Sequence, residues 1–235
     1  MFKDLRKYLY MIRLGYRYIK LYKKTYFHPF LSPKEAHKQL SKKRQEYSNA
    51  VLKYLNISVE LHGSVPKHDH VLYAINHRSL LDIIVMENIF SRSRKSGVWI
   101  AKQELFDAFY GDFFKYSGCI SVDVENKKGL MKFFKEIKYK LAKVNDLNIY
   151  IFPEGERHKS AGIKKFQTGA SNIAKTNNLE TRPVFIDDTL ESVFQEAPFK
   201  QTKTVHVYIG EPINPSRLEE EYRIFIENIK GKTDA

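Results

Sequence analysis

The chain has 235 residues, which is enough for one sizeable α/β domain and a small accessory element. Its 40 Lys and Arg residues outnumber 27 Asp and Glu residues, and the formal charge of +13 favours an anionic partner: nucleic acid, an anionic lipid surface or an acidic carrier. A single cysteine excludes an internal disulfide, and the lack of an uncharged apolar run of roughly 20 residues argues against a membrane-spanning helix. We therefore expect a protein of the cytosol or of the cytosolic face of a membrane.

Two antiparallel helices are predicted within residues 1–56. In the first, residues 2–24, an apolar stripe and a second apolar sector flank a ridge of basic side chains. The stripe consists of Phe2, Leu5, Leu9, Ile12, Tyr16 and Ile19, and the second sector of Tyr10, Leu14, Tyr18 and Leu21. Such a helix can lie in a bilayer interface or dock on the rest of the protein, and the two roles are compatible. The second helix is predicted from a cap at Ser32 to about Leu55.

From residue 57 onward, predicted strands alternate with predicted helices. The strands are residues 57–61, 71–75, 98–102, 119–122, 147–152, 183–186 and 205–209. The helices are residues 79–90, 105–114, 126–144, 167–176 and 218–229. This order predicts an α/β fold with a mostly parallel, mixed sheet of about seven strands, flanked by helices and preceded by the two-helix element. We expect a membrane-associating element at residues 1–56 and a catalytic domain at residues 57–235.

A histidine and an aspartate follow the apolar strand at residues 71–75. Ser79 and Asp82 have the spacing of a capping box, so a helix should begin there and leave His77 in the turn before it. Five residues along one helix would turn the two side chains to different faces, but from a turn the ring of His77 can fold back onto Asp82. A carboxylate on one ring nitrogen fixes the tautomer and leaves the other nitrogen as a base. The alternative is that Asp82 only caps the helix and His77 is an ordinary loop histidine.

A second charged turn follows the strand at residues 147–152. Pro153 and Gly155 flank Glu154, and Arg157 lies two residues beyond the glycine. Ligands collect at strand ends of this kind in open α/β sheets. The two turns therefore predict one site at the carboxyl edge of the sheet.

Together these stretches resemble the glycerolipid (PlsC-type) acyltransferase family, which includes bacterial 1-acylglycerol-3-phosphate acyltransferases. The pattern is Asn-His-x-Ser-x-x-Asp at residues 76–82, which contains an HxxxxD motif, and Phe-Pro-Glu-Gly-x-Arg at residues 152–157. Weaker blocks at residues 102–105 with 118–123, and at residues 182–186, occur in the family order within a motif-bearing core of residues 71–187. The chain departs from the family at Val124, where an Arg is usual, and at Glu156, where a Thr is usual.

The resemblance implies an enzyme that transfers a fatty acyl chain from an acyl thioester to the sn-2 hydroxyl of 1-acylglycerol-3-phosphate. The product would be phosphatidic acid, a precursor in phospholipid biosynthesis. Another lysolipid acceptor is the alternative. A non-catalytic basic protein that binds membranes or nucleic acid would explain the charge but not the ordered blocks.

The resemblance also implies roles for the residues of the two turns. His77 would act as the base, and Asp82 would orient it and stabilise the imidazolium. Arg157 would hold the phosphate of the acceptor, because a guanidinium matches phosphate with two parallel hydrogen bonds. Glu154 would bond the glycerol or brace Arg157, with a strand-end salt bridge as the alternative, and Gly155 belongs to the same turn.

Two further residues, Lys102 and Pro183, are expected to bind substrate. Lys102 would hold phosphate or polarise the thioester carbonyl, unless it is an ordinary surface lysine. Pro183 represents the fourth block. Because Val124 replaces an expected cation, Lys127 or Lys128 could supply one from the adjacent turn.

No metal is expected, since the run His68-Asp69-His70 has no third ligand at metal-site spacing nearby. No cofactor is expected besides the co-substrate, an acyl carrier protein or CoA thioester. The other expected partners are a lysophospholipid and an anionic membrane surface, and no nucleic-acid-binding motif is recognisable. These expectations place the protein peripherally on the cytoplasmic face of the inner membrane.

Overall fold

In the computed structural model, which describes residues 2–124, 126–158 and 162–233, seven strands form one mixed sheet. The strands are β1 (Ile57–His62), β2 (Val71–Ile75), β3 (Ser96–Lys102), β4 (Ile120–Val122), β5 (Leu147–Ile151), β6 (Glu180–Ile186) and β7 (Lys203–Ile209). Their order in the sheet is β1-β7-β6-β2-β5-β3-β4. Strands β6, β2, β5, β3 and β4 are mutually parallel, β7 is antiparallel to β6, and β1 is parallel to β7. The predicted α/β fold with a mostly parallel, mixed seven-stranded sheet is confirmed.

Helices cover both faces of the sheet. They are α1 (Phe2–Tyr26), α2 (Pro33–Leu55), α3 (Leu81–Arg92), α4 (Gln103–Asp107), α5 (Gly111–Tyr116), α6 (Lys127–Lys143), α7 (Gly169–Asn177), α8 (Leu190–Glu196) and α9 (Leu218–Thr233). Helices α2, α3 and α8 share one hydrophobic core with one face of the sheet, and α6, α7 and α9 share a second core with the other face. Within the described ranges, none of the helices combines the length and the hydrophobicity that crossing a membrane requires.

The two central strands place the site. Strands β2 and β5 are neighbours, and every residue in both is buried, as expected of parallel strands covered on both faces. Side chains alternate between the two cores, so that Tyr73 and Ile75 face α3 while Leu72 and Ala74 face α7 and α9. Because parallel neighbours end at the same edge, the segments that follow Ile75 and Ile151 come together there.

The N-terminal helices are antiparallel, as predicted, but α1 turns its second apolar sector inward. Tyr10 stacks on Tyr54 of α2 with ring centroids 3.8 Å apart, and Tyr18 packs against Tyr47 at 5.4 Å. The predicted apolar stripe is left on the outside, with Leu5, Leu9, Ile12 and Tyr16 each at least half exposed. Helix α1 is thus docked on α2 through its second apolar sector and presents the apolar stripe to solvent.

Two buried cations attach the helix pair to the sheet and its helices. Arg44 of α2 bonds Glu87 of α3 at 2.7 Å, and its guanidinium also donates to the carbonyl oxygens of Gly97 and Ser117. Lys7 of α1 is 1 % exposed, and its Nζ donates to three carbonyl oxygens at the end of α8, where a helix dipole favours a cation. The helices before the predicted boundary at residue 56 therefore pack directly on the elements that follow it.

Two predicted helices begin or end elsewhere. The helix expected at residues 105–114 is split into α4 and α5, because Ala108 takes an extended backbone conformation with ψ 163°. The chain then turns so tightly that a Cβ on Gly111 would collide with the carbonyl of Phe106. Helix α3 begins at Leu81 rather than Ser79. Hydrogen bonds of Ser79 and Asp82 at the candidate site explain this later start of α3.

Candidate active site

The two charged turns meet at the carboxyl edge of β2 and β5. The backbone N–H of His77 donates to Oε1 of Glu154 at 2.8 Å, and the backbone N–H of His158 donates to the carbonyl oxygen of His77 at 2.8 Å. The second turn thus holds the backbone of the first from both sides.

His77 and Asp82 form the contact that the sequence predicts. Nδ1 of His77 lies 2.9 Å from Oδ2 of Asp82, and the two side chains are 13 % and 2 % exposed. The same oxygen accepts the backbone N–H groups of Arg78 at 2.7 Å and of Ser79 at 2.9 Å. Because a carboxylate only accepts, Nδ1 carries the proton and Nε2 keeps its lone pair.

The predicted capping box of Ser79 and Asp82 is only half formed. The carboxylate of Asp82 accepts the N–H of Ser79, but Oγ of Ser79 accepts from the N–H of Leu81 and lies 3.3 Å from a carboxylate oxygen of Glu191. The cap position is Leu80, which makes no side-chain capping bond, and the helix begins at Leu81. Asp82 therefore holds the turn before the helix together with the ring of His77.

Aromatic packing fixes the plane of the His77 ring. The imidazole stacks on Phe152 with centroids 3.8 Å apart and planes 11° apart, and Trp99 stacks behind Phe152 at 5.2 Å. Within the described residues, no hydrogen bond reaches Nε2 of His77. A base with one nitrogen engaged and the other free is the arrangement that proton abstraction from a hydroxyl requires.

The carboxylate of Glu154 is buried and bonds the backbone of the site. It is 2 % exposed, and its two oxygens accept the backbone N–H groups of His77 and Lys164, each at 2.8 Å. Burial raises the pKa of Glu154, and the two N–H donors act against that rise. Within the described residues no hydrogen bond or ion pair joins Glu154 to Arg157, and the expectation that Glu154 bonds glycerol stays a prediction. Gly155 has φ +72°, a left-handed conformation that this turn gives to a glycine.

Arg157 lies at the open end of the second turn. Its side chain is exposed, and the described residues offer it no hydrogen bond or ion pair. The neighbouring Glu156, which stands where the family has Thr, pairs with Lys164 at 2.6 Å. That ion pair lowers the pKa of Glu156, with a smaller contribution from the charge of Lys102. Arg157 is thus left available to an anion.

Lys102 ends β3 at the same edge of the sheet. It is half-buried and lines a small cleft together with Asp123 and Val124. Val124, at the position of the expected cation, is 59 % exposed, and Lys127 and Lys128 follow it as exposed residues at the start of α6.

Pro183 faces the side of the sheet opposite to α3, and its place among the substrate-binding residues stays a prediction. Alternation along β6 sends Val184 and Ile186 to the face of α3, and Pro183 to the opposite face. There Pro183 lines a groove with Gly210 and Phe225 of the β7–α9 region.

Two neighbours of His77 have structural roles that sequence reasoning missed. The amide of Asn76 exchanges two hydrogen bonds with the backbone of Ile186, at 2.7 and 2.9 Å, and so extends the pairing of β2 with β6. Arg78 is buried and donates to the carbonyl oxygens of Asp187 and Gly162. The only signal in the sequence was their position on either side of the histidine.

Several known proteins are similar to this chain. The curated relatives named 1-acyl-sn-glycerol-3-phosphate acyltransferase include one from Helicobacter pylori, 36 % identical over 56 % of this chain and 54 % of the relative. Another, from Cocos nucifera, is 26 % identical over 69 % of this chain and 52 % of the relative. The chain spans about half the length of these relatives.

A solved structure, the 1-acyl-sn-glycerophosphate (LPA) acyltransferase PlsC from Thermotoga maritima, matches with a TM-score of 0.67 at 24 % identity. The match covers 99 % of this chain and 97 % of that one, so the likeness of fold includes the N-terminal helices. The model of the family described as Acyltransferase matches residues 56–187, more than half of the chain and the whole of both charged turns. The protein whose His77, Asp82 and Glu154 are arranged in this way therefore belongs to the acyltransferase family.

Proposed function

We propose that this protein transfers a fatty acyl chain from an acyl thioester to the sn-2 hydroxyl of 1-acylglycerol-3-phosphate and so makes phosphatidic acid. The observation that carries the proposal is the His77–Asp82 pair, with Nδ1 engaged at 2.9 Å and Nε2 open at the carboxyl edge of the sheet. The shared name of the Helicobacter pylori and Cocos nucifera relatives supports this choice of acceptor.

The reaction needs one base and no covalent enzyme intermediate. Nε2 of His77 removes the hydroxyl proton as the oxygen attacks the carbonyl carbon of the thioester. A C–O bond forms and the C–S bond breaks. The imidazolium, stabilised by Asp82, returns the proton to the departing sulfur, which leaves as the thiol of an acyl carrier protein or of CoA. His77 ends the cycle neutral, as it began.

Arg157 holds the phosphate of the acceptor in this proposal. Its guanidinium is exposed, and its turn is tied to the base, because Glu154 and His158 both bond the backbone of His77. A planar fork binds phosphate through two charge-assisted hydrogen bonds, and this fixes the hydroxyl relative to Nε2. Lys102, half-buried at the adjacent strand end, is assigned to the same phosphate or to the thioester carbonyl.

The acceptor is a membrane lipid, so we further propose that α1 binds the anionic cytoplasmic surface of the inner membrane peripherally. The exposed stripe of Leu5, Leu9, Ile12 and Tyr16 supports insertion of apolar side chains at the interface. Arg13 and Arg17 are exposed and can reach lipid phosphates. Lys7 and Lys23 contribute less than the sequence suggests, since Lys7 is buried and Lys23 pairs with Asp112 at 2.6 Å.

The test offers the purified protein a panel of lysolipids with acyl-carrier-protein and acyl-CoA donors, and identifies the products by mass spectrometry. We expect phosphatidic acid from 1-acylglycerol-3-phosphate, and a loss of turnover of about 10²- to 10⁴-fold in His77→Ala. His28→Ala, an exposed histidine after α1, is the matched control and should behave as the parent. Turnover by His77→Ala within a few-fold of the parent would refute the mechanism, and preference for another lysolipid would reassign the acceptor.

A further inference from the structure

Three side chains that ligate metals lie together on the solvent-accessible face of β1 and β7. Glu60 and His62 come from β1 and His206 from β7, and Glu60 pairs directly with His206 in the register of the two strands. The alternation that sends Val59 and Val205 into the core turns these three to the outer side. The strand pairing thus unites residues that are far apart in the sequence, which is why spacing along the chain did not indicate a metal site.

The distances among the three groups suit one small cation. Nε2 of His62 lies 3.1 Å from Nδ1 of His206, while carboxylate oxygens of Glu60 lie 3.8 Å from the former and 3.9 Å from the latter. Ligands bound tetrahedrally to Zn²⁺ at about 2.0–2.1 Å are roughly 3.3 Å apart. The two nitrogens already have that spacing, and the carboxylate of Glu60, whose two oxygens each lie nearest a different ring, must move closer so that one oxygen reaches the ion.

The surroundings hold two of the ligands in place. The ring of His62 stacks on Tyr208 with centroids 4.5 Å apart and planes 15° apart, and the backbone N–H of His206 donates to Asp188 at 2.8 Å.

We propose that Glu60, His62 and His206 bind one Zn²⁺ ion, with water completing a tetrahedral site. Two imidazoles and a carboxylate are a ligand set that Zn²⁺ accepts and that Mg²⁺ or Ca²⁺, which take oxygen ligands, do not favour. The side chains are 37–56 % exposed, so the ion can enter from solvent. The site is independent of acyl transfer.

The ion would join the outermost strand to its neighbour. Strand β1 directly follows α2 and, among the described strands, pairs only with β7. A metal bridge from Glu60 and His62 to His206 adds a cross-link at this edge. Because the unfolded chain does not hold the ligands together, binding should stabilise the folded state. The affinity should depend on pH, since the ligands must lose any bound proton.

The experiment uses the full-length chain, freed of any polyhistidine tag and treated with a chelator, and titrates it with Zn²⁺ against a chromophoric chelator. We expect one ion per chain, and an affinity at least about tenfold weaker in His206→Ala and in His62→Ala, since even outer partners of a metal site are worth about 10- to 100-fold. The matched control is His68→Ala, an exposed histidine that pairs with Glu180 at 3.2 Å and should bind as the parent does.

Thermal unfolding supplies a second readout. Zn²⁺ should raise the midpoint of the parent and of His68→Ala but not that of His206→Ala, whose metal-free midpoint and circular dichroism establish that it folds. Mg²⁺ at the same concentration should change none of the three. Absence of one-to-one binding in the parent, equal binding by His206→Ala, or loss of binding in His68→Ala would each overturn the proposal.

Discussion

Arg157 is the one guanidinium of its turn, and its surroundings leave it open. The adjacent carboxylates are already engaged: Glu154 with two backbone N–H groups, and Glu156 with Lys164. A cation whose neighbours are engaged in this way keeps its hydrogen-bonding capacity for a ligand. Its value to the proposed reaction lies in the planar fork and not only in the charge.

We predict that Arg157→Lys weakens use of the acceptor far more than use of the donor. The substitution keeps the charge and loses the paired hydrogen bonds, so KM for the lysophosphatidate should rise about tenfold or more, as expected for loss of one hydrogen bond between charged groups. Steady-state kinetics with each substrate varied in turn will measure both constants. Arg217→Lys is the control, because Arg217 is an exposed arginine already paired with Glu220. A rise in KM confined to the donor would contradict the assignment.

The residues of the site differ in how far the sequence could predict them. The contact of His77 with Asp82 depends on five residues of local chain; the strand–turn–helix pattern allowed it, and the second charged turn with the family resemblance favoured it. The burial of Glu154 depends on where Lys164 and the turn of His77 lie in space, and no local pattern contains that information. The side of the sheet that Pro183 faces likewise depends on how β6 lies beside β2, which no local pattern contains.

At the scale of elements, one buried ion pair joins the N-terminal helices to the catalytic core. Arg44 and Glu87 have side chains 5 % and 0 % exposed, and Nε1–H of Trp99 donates to the same oxygen of Glu87 that Arg44 contacts. A carboxylate buried this deeply depends on its cation, since an unpaired buried charge is costly. The pair therefore contributes to the packing of α2 on α3, beside the hydrophobic core that the two helices share.

We predict that Arg44→Ala lowers the free energy of unfolding by about 3–5 kcal/mol, because it leaves Glu87 charged, buried and without its cation. The double variant Arg44→Met/Glu87→Gln should recover part of that loss, since it removes both charges and keeps an acceptor for Trp99. Urea unfolding of the parent, both variants and Arg217→Ala, an exposed control, will give the comparison. Equal losses in the single and double variants would show that the charge of Glu87 is not the cause.

The periodicity of apolar residues predicted most of the helices and strands. It could not decide which of two apolar faces of one helix would be buried. The first helix has two apolar sectors, and only its fit to α2 decides that Tyr18 goes inward while Ile12 stays outside. The helix expected at residues 105–114 failed for a local reason, the extended conformation of Ala108 before Gly111, which apolar spacing does not reveal. The alternation of strands and helices, in contrast, was sufficient to predict the sheet.

For the whole molecule, the outward stripe of α1 predicts how the protein meets a membrane. Replacing Leu9 and Ile12, which are 50 % and 67 % exposed, by Gln should leave the fold intact and weaken binding to anionic vesicles. Full burial of such a side chain is worth about 1.5–3 kcal/mol, and about half to two-thirds of that remains to be gained on insertion, so we expect a loss of about 4- to 30-fold for each. Vesicle flotation at low and high salt will separate this apolar part from the salt-sensitive attraction of the basic residues.

The control for this test is Ile224→Gln, a 47 % exposed apolar residue on α9, which should float as the parent does. Substitution is preferable to deletion of the helix, because deletion would also remove the buried Lys7 and Tyr22. Unchanged flotation of the Leu9 and Ile12 variants would mean that the membrane contact lies on another surface.

The bonds of Lys7 to the end of α8 and of Arg44 to Glu87 have a consequence for orientation. Rolling of α1 about its axis, or hinging at residue 56 relative to the sheet, would break these buried bonds. A catalytic domain on a flexible tether would sample many tilts above a lipid surface. In the proposed membrane contact, the plane that the stripe of α1 meets would also set the direction in which the carboxyl edge of the sheet faces. The height of Nε2 of His77 above that plane would then be a property of the fold, and it would limit how far a lipid headgroup must rise to reach it.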